Sequence, residues 1–217
     1  PGEETYSTNW LDEVINPAPM AEHFLSYSGG NEKSQYNASA SYLTQDGIGG
    51  GDKANFTRFT ARLSGNHQLK EWLTIGHKIN YTHSVRTSLP ENSTFNSFMN
   101  MSILLDPLTP VTVPYDSLYY IGDDFKPLLV NDGQGNYYGV SRIVAGEVYN
   151  PKALLETLHG QSNTDKLFGT MFAEVRPVKG LSIRTKVDFD LAYVNWNGWN
   201  QKRYFNPEQI HDINGAY

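Results

Sequence analysis

Apolar and polar side chains alternate along several stretches of the chain, the period-two pattern of a strand whose two faces differ chemically. Between Gln35 and Leu43, Tyr36, Ala38, Ala40 and Tyr42 share one parity, and Asn37, Ser39 and Ser41 the other. Phe59, Ala61 and Leu63 alternate with Arg58, Thr60, Arg62 and Ser64; Leu73, Ile75, Ile79 and Tyr81 alternate with Thr74, Gly76, Lys78, Asn80 and Thr82. The clearest run is Leu181 to Tyr193, in which Leu181, Ile183, Thr185, Val187, Phe189, Leu191 and Tyr193 interleave with Ser182, Arg184, Lys186, Asp188, Asp190 and Ala192. That run exceeds the ~5–6 residues of an ordinary globular strand. Two further strands are less clean. Phe24 interrupts the polar parity around His23, Leu25 and Tyr27, and Phe168 and Phe172 interrupt it between Leu167 and Arg176. The pattern predicts six strands.

Short and long connections alternate between them. Gly29 to Lys33, Asn66 to Lys70 and Arg176 to Gly180 have the glycine, asparagine and proline chemistry of tight turns. Gln45 to Asn55, Val85 to about Asn163, and the chain beyond Asn195 are long. In an antiparallel meander this puts tight turns at one end of the sheet and elaborate loops at the other. The long middle connection predicts local structure of its own. Phe95, Phe98, Met99, Ser102 and Leu105 recur at helical spacing, with Asn92 or Ser93 as cap and Asp106-Pro107 as stop. A second short helix is predicted from Asn150-Pro151 over Ala153 to Leu158.

Aromatic side chains cluster near the strand ends. On the apolar parity Tyr27, Tyr36 and Trp72 lie beside short turns, and Tyr42, Tyr81 and Tyr193 fall at the long-loop ends. Two such belts match the girdles of a transmembrane β-barrel. The rival arrangement is a soluble extracellular β-sandwich that binds carbohydrate, its tyrosines edging a buried core. The two differ in whether the apolar parity faces lipid or a second sheet.

Composition narrows the choice. The net charge of −6 argues against a nucleic-acid backbone as the main partner. With no cysteine there is neither a disulfide framework nor a thiolate zinc site. No apolar stretch reaches the ~18 residues of a spanning helix, whereas barrel strands need only ~9–11.

No catalytic motif is present. Gly47 to Lys53 lacks the spacing of a phosphate cradle and reads as a loop apex. The six histidines are scattered, so no metal site is expected, and Asp123, Asp124 and Asp132 show no calcium-loop register. A glycoside hydrolase needs two carboxylates facing each other across a cleft, whereas Asp188 and Asp190 share one strand face. The chain is therefore expected to be no enzyme and to need no cofactor. For ligand contact the candidates are the aromatics expected in loops, Trp196, Trp199, Tyr204, Tyr119, Tyr120, Tyr137 and Tyr138, whose flat faces suit sugar rings. The alternative role for these rings is to pack the loops together.

Several stretches carry a resemblance. Thr8 to Glu13, Ala18-Pro19-Met20, and above all the ordered run from Leu25-Ser26-Tyr27-Ser28-Gly29-Gly30-Asn31 through Tyr36-Asn37-Ala38-Ser39 to Tyr42-Leu43-Thr44-Gln45-Asp46-Gly47 resemble the early barrel of SusC/RagA-type TonB-dependent transporters. The likeness continues through Phe59 to Leu63, Trp72 to Gly76, Ile79-Asn80-Tyr81, Asn150-Pro151 and Lys179-Gly180-Leu181, leaving out Ser88 to Tyr149. It implies an all-β fold: about six strands of an antiparallel outer-membrane barrel of about 22 strands, plugged within. It also implies a multi-pass location in the outer membrane of Bacteroidota, in contact with lipid, and import of oligosaccharides or peptides. The implied partners are a SusD-like surface lipoprotein and TonB, the latter acting through an N-terminal region missing from a fragment such as this.

On this reading residues 1–20 form an extracellular loop segment, 21–84 barrel strands with short periplasmic turns, and 85–163 a long extracellular loop with short helices. Residues 164–194 form a barrel hairpin and 195–217 a further extracellular segment. Arg58, Arg62, Lys78, Glu174, Arg184, Lys186, Asp188 and Asp190 are then expected to face the lumen, lining the substrate path or bracing the plug.

Overall fold

The computed structural model describes residues 5–87, 89–90, 93, 97–144, 146, 148–205, 210–211 and 215–216. A short helix, α1 (Trp10–Val14), precedes four long strands, β1 (Met20–Gly30), β2 (Ser34–Asp46), β3 (Asn55–Lys70) and β4 (Leu73–Thr87). The long connection carries α2 (Phe98–Leu104), β5 (Thr112–Pro114), β6 (Asn136–Tyr138) and α3 (Pro151–Thr157). It leads into β7 (Leu158–Val178) and β8 (Leu181–Asn200). The six long strands form one antiparallel sheet in chain order, β1-β2-β3-β4-β7-β8.

The tight turns close by local chemistry. At the β1–β2 turn the Asn31 carboxamide oxygen accepts the backbone N–H groups of Lys33 and Ser34, both at 2.9 Å. At the β7–β8 turn Gly180 takes φ +86°, a conformation that L side chains rarely adopt. Each successive turn closes further down the register. Gly30 pairs Gln35, which lies level with Asn66, yet β3 and β4 continue to Lys70 and Leu73, and β7 and β8 to Val178 and Leu181. This stagger is the shear of strands tilted in a barrel wall.

The register sorts side chains onto two faces. One row across the sheet reads Leu25, Ala40, Ala61, Tyr81, Leu167 and Leu191. The neighbouring row, on the other face, reads Ser26, Ser39, Arg62, Asn80, Phe168 and Asp190. The apolar face is open: Leu25 is 74% exposed, Leu191 62% and Val187 60%. No described element covers it as the second layer of a sandwich would. Towards the loops it ends at the row His23, Tyr42, Phe59, His83, Asp165 and Tyr193. There Asp165 Oδ1 accepts the Tyr81 hydroxyl at 2.6 Å and lies 2.8 Å from His83 Nδ1. Beyond that row the same parity turns polar, with Asn163 and Gln161 on β7 and Asn195 and Asn197 on β8.

β7 and β8 run to 21 and 20 residues, about twice the ~9–11 needed to cross a bilayer. Their upper halves extend beyond the alternation that announces them, because residues 159–163 are polar or glycine on both parities; backbone pairing to β8, and to β4 at Ser162 and Asn163, defines the strand there. α2 begins at Phe98 with Ser97 before it. Phe95 and Asn92 lie outside the described residues. α3 starts at Pro151, capped by the Asn150 side chain, which accepts from Lys152 N and Ala153 N. It ends at Thr157, where Leu158 already belongs to β7.

The buried core sits among the loops. Of the buried apolar side chains described, only Leu43 belongs to a long strand. Val14, Phe98, Met101, Val130, Tyr149, Leu154 and Phe205 pack into one cluster, and Val113, Leu118, Ile121, Leu129, Val140 and Tyr204 into a second. The long connection is thus a packed module joined by α1 and by residues 203–205, seated at the long-loop end of the sheet.

Candidate ligand-contact surfaces

The polar face of the sheet brings together all eight charged side chains singled out above. Arg58, Arg62, Lys78, Glu174, Arg184, Lys186, Asp188 and Asp190 share its parity, in rows that include Arg62 with Asp190, Lys78 with Asp188, and Glu174 opposite Arg184. Charges of opposite sign adjoin. Lys186 Nζ is 3.0 Å from Asp188 Oδ2, Lys166 Nζ 3.3 Å from Asp190 Oδ2, and Arg58 Nη2 3.8 Å from Glu22 Oε1. Arg176 Nη2 reaches Glu174 Oε1 at 2.8 Å, and the Thr170 hydroxyl donates to Asp188. These pairs are exposed and contribute little stability, so their effect is to give the face a mixed, hydrated charge.

Two phenylalanines that break the polar alternation have a physical account. The Phe172 ring lies against the open backbone of Gly76, where a Cβ would come within 2.2 Å of it, and the Arg184 guanidinium stacks 3.7 Å above. The Phe168 ring carries Lys166 Nζ at 5.5 Å. Each ring thus has a cation over its face, although Phe168 stays 39% exposed. Phe24, 64% exposed on the same face, has no such cation over it among the described residues. A groove of about 1040 Å³ runs over the lower part of this face, lined by Asn37, Asn66, Lys78, Thr170, Arg184 and Lys186 among others.

The aromatic candidates do not form one site. Trp196 stands on the polar face, over Gly160 and Gly198, whereas Trp199 stands on the opposite face and stacks on His159 with centroids 3.8 Å apart. Tyr204 is buried and stacked on Phe125 at 5.0 Å, and burial raises its pKa. Tyr138 is buried as well; desolvation and then the Glu156 charge push its pKa up to about 12. Tyr137 is half-buried with its ring 5.3 Å from that of Tyr115. Tyr119, 71% exposed, and Tyr120 meet edge to face at 5.8 Å. Burial pushes Tyr120 up to about 12 against the opposing pull of Arg142, and its hydroxyl donates to Val140 O at 2.8 Å. Arg142 was not legible as a site residue, since nothing in its surroundings in sequence marks it.

The loop acids satisfy themselves locally. Lys126 Nζ donates to Asp123 Oδ1 at 2.6 Å and holds that carboxyl below its usual range. The Asn136 side chain and the Gln134 and Asn136 backbone amides do the same for Asp132. Among the described residues no three histidine, aspartate or glutamate side chains converge as metal ligands.

No family model matches the chain. It is 22% identical over 194 residues to the TonB-dependent receptor P26 of Formosa agariphila, an alignment that covers 88% of this chain and 17% of that protein. Among solved structures it superposes on the RagAB peptide transporter with a TM-score of 0.63 and 20% identity, over 90% of this chain. It also superposes on the open-open state of the RagAB peptide importer with a TM-score of 0.64 and 19% identity, over 93%. The chain spans about a fifth of the length of these relatives. The fold is therefore that of the matching segment of the RagAB transporter structures.

Proposed function

We propose that the chain forms part of a TonB-dependent outer-membrane importer of nutrients, with oligosaccharides as the substrate class and a SusD-like surface lipoprotein as partner. The observation that carries this reading is one sheet with two open faces of opposite chemistry, apolar on one parity and mixed-charge on the other. Closed into a barrel, such a sheet turns the apolar face to lipid and the charged face to a hydrated lumen. Transport then proceeds by gated passage with no chemical step, and the charges on the lumen face line the path or brace a plug. The packed loop module stands on the extracellular side, where a lipoprotein and incoming substrate would meet it.

A peptide substrate is the second reading, supported by the RagAB neighbours, which are peptide transporters. Deleting the complete gene and following uptake of labelled oligosaccharides and labelled peptides, with and without an intact TonB, separates the two. Oligosaccharide uptake lost on deletion and on TonB inactivation supports the first reading. Unchanged uptake of both classes would overturn the importer assignment.

A further inference from the structure

A cavity of about 610 Å³ opens in the loop module beside Tyr119 and Tyr120. Arg142 is its cation. The guanidinium carbon lies 4.9 Å above the Tyr120 ring and 5.8 Å from that of Tyr119, and Nη2 donates to the Tyr119 hydroxyl at 3.4 Å. Among the described residues Arg142 has no carboxylate partner, so most of its N–H fork is available to an anion.

The arginine is held in place from below. Asp106 Oδ2 accepts the hydroxyls of Ser141 at 2.6 Å and Thr109 at 2.8 Å. Ser141 Oγ in turn accepts the backbone N–H groups of Ile143 and Val144 at 3.1 and 2.9 Å, which folds the turn that presents Arg142. Asp106 is itself fixed through its carbonyl, which accepts the Trp10 indole N–H at 2.9 Å. Tyr120 is fixed through its bond to Val140 O. The order of ordering therefore runs from buried Trp10 to Asp106 to Ser141 to Arg142.

We propose that this cavity is a subsite for a uronate unit, a sugar ring bearing a carboxylate. The Arg142 fork matches a carboxylate in geometry and charge. The right-angled pair of Tyr119 and Tyr120 offers a flat, exposed face for the C–H side of a pyranose. Thr5 and Ser117 add hydroxyls to the wall, suited to a ligand that presents many hydroxyls of its own; the Asp106 carboxylate also lines the cavity, with its Oδ2 engaged by Ser141 and Thr109, so the ligand's carboxylate is placed at the Arg142 end. The inference rests on the oligosaccharide reading and sharpens it to an acidic class.

The test uses the full-length transporter in detergent micelles and weak-ligand saturation-transfer NMR with four probes: glucuronate, its methyl ester, glucose, and N-acetyl-glycyl-glycine with a free terminal carboxylate. Glucuronate binds at least fivefold more tightly than the ester and glucose, and more tightly than the peptide acid. R142Q removes that preference, R142K retains only part of it, and Y119A weakens all sugar probes together. Arg142 is exposed, so these variants leave the loop module folded, checked by an unchanged protease-cleavage pattern. Equal binding of acid and ester, an R142Q preference equal to wild type, or tighter binding of the peptide acid would each overturn the subsite. Loss of the importer reading gives a different result: glucuronate binds through Arg142 while TonB-dependent oligosaccharide uptake is absent.

Discussion

Trp196 and Trp199 stand three residues apart on β8 and point to opposite faces of its sheet, Trp196 with Gly160 and Gly198, Trp199 against His159. Only Trp196 shares the parity of the charged face. Replacing it with alanine is expected to raise the KM for uptake several-fold, and the same change at Trp199 to leave KM unaltered. Uptake kinetics in cells with matched surface levels of the two variants check this, and equal effects at both positions would count against a lumenal role for the β8 polar face.

Tyr149 and Phe205 lie 56 places apart in sequence numbering and stack with centroids 4.2 Å apart and planes inclined by 13°, each almost fully buried. The contact ties the segment after β8 to the core of the loop module. Phe205→Ala opens a cavity in a cluster that includes Leu154 and Met101 and should cost about 3–5 kcal/mol locally. Among the described residues the long strands reach that cluster only through Leu158, the first residue of β7. Surface proteolysis of intact cells should therefore cut the 97–157 region much faster in the variant while the barrel remains inserted.

The sheet was legible because a two-faced strand writes its burial into alternate positions, as Leu181 to Tyr193 does. The upper halves of β7 and β8 were not, since residues 159–163 are polar or glycine on both parities and Trp196 and Trp199 on β8 fall on opposite parities, so neither stretch carries a period of two. The same limit hid the faces of Trp196 and Trp199, which follow from strand parity once β8 is seen to reach Asn200. The loop core was harder still. Trp10, Tyr149 and Tyr204 meet partners tens of residues away, so no local window contains the pattern. Tyr204 thus read equally as a ligand-contact ring or as one that packs the loops, and its partner Phe125 shows the second.

Gly169 on β7 pairs with Ile79 on β4. A Cβ there would lie 2.5 Å from Lys78 O and 2.9 Å from Phe189 Cζ. The ring is the far end of a side chain that can turn, whereas the carbonyl belongs to the paired strand and cannot. Gly169→Ala is expected to destabilise the barrel by about 1–3 kcal/mol. The temperature at which the folded band disappears in unboiled gel electrophoresis should fall by several degrees. Adding Phe189→Ala should not restore it, which separates backbone crowding from ring crowding.

Expressed by itself, the 217-residue chain has open sheet edges and an uncovered apolar face. Unpaired edges template association, and an apolar band of this size is not soluble in water. The isolated chain is expected to aggregate without detergent, read by light scattering and size exclusion. A monodisperse, detergent-free monomer with a cooperative melt would contradict the barrel-wall reading of the sheet.

Two loop tyrosines set an alkaline limit for the module. Burial pushes Tyr120 and Tyr138 up to about 12 from the ordinary 10.0. A raised folded-state pKa favours folding fully below the unfolded value, and the contribution vanishes as pH climbs from 10 through 12. The module should therefore hold its structure to about pH 10 and loosen towards pH 12, followed by tyrosinate absorbance near 295 nm together with protease sensitivity. In Tyr120→Phe the part of the late absorbance step that belongs to Tyr120 disappears and the loss of structure becomes less steep. If all tyrosines of the purified protein ionised together near pH 10 with the module intact, neither ring would be desolvated as the structure has it.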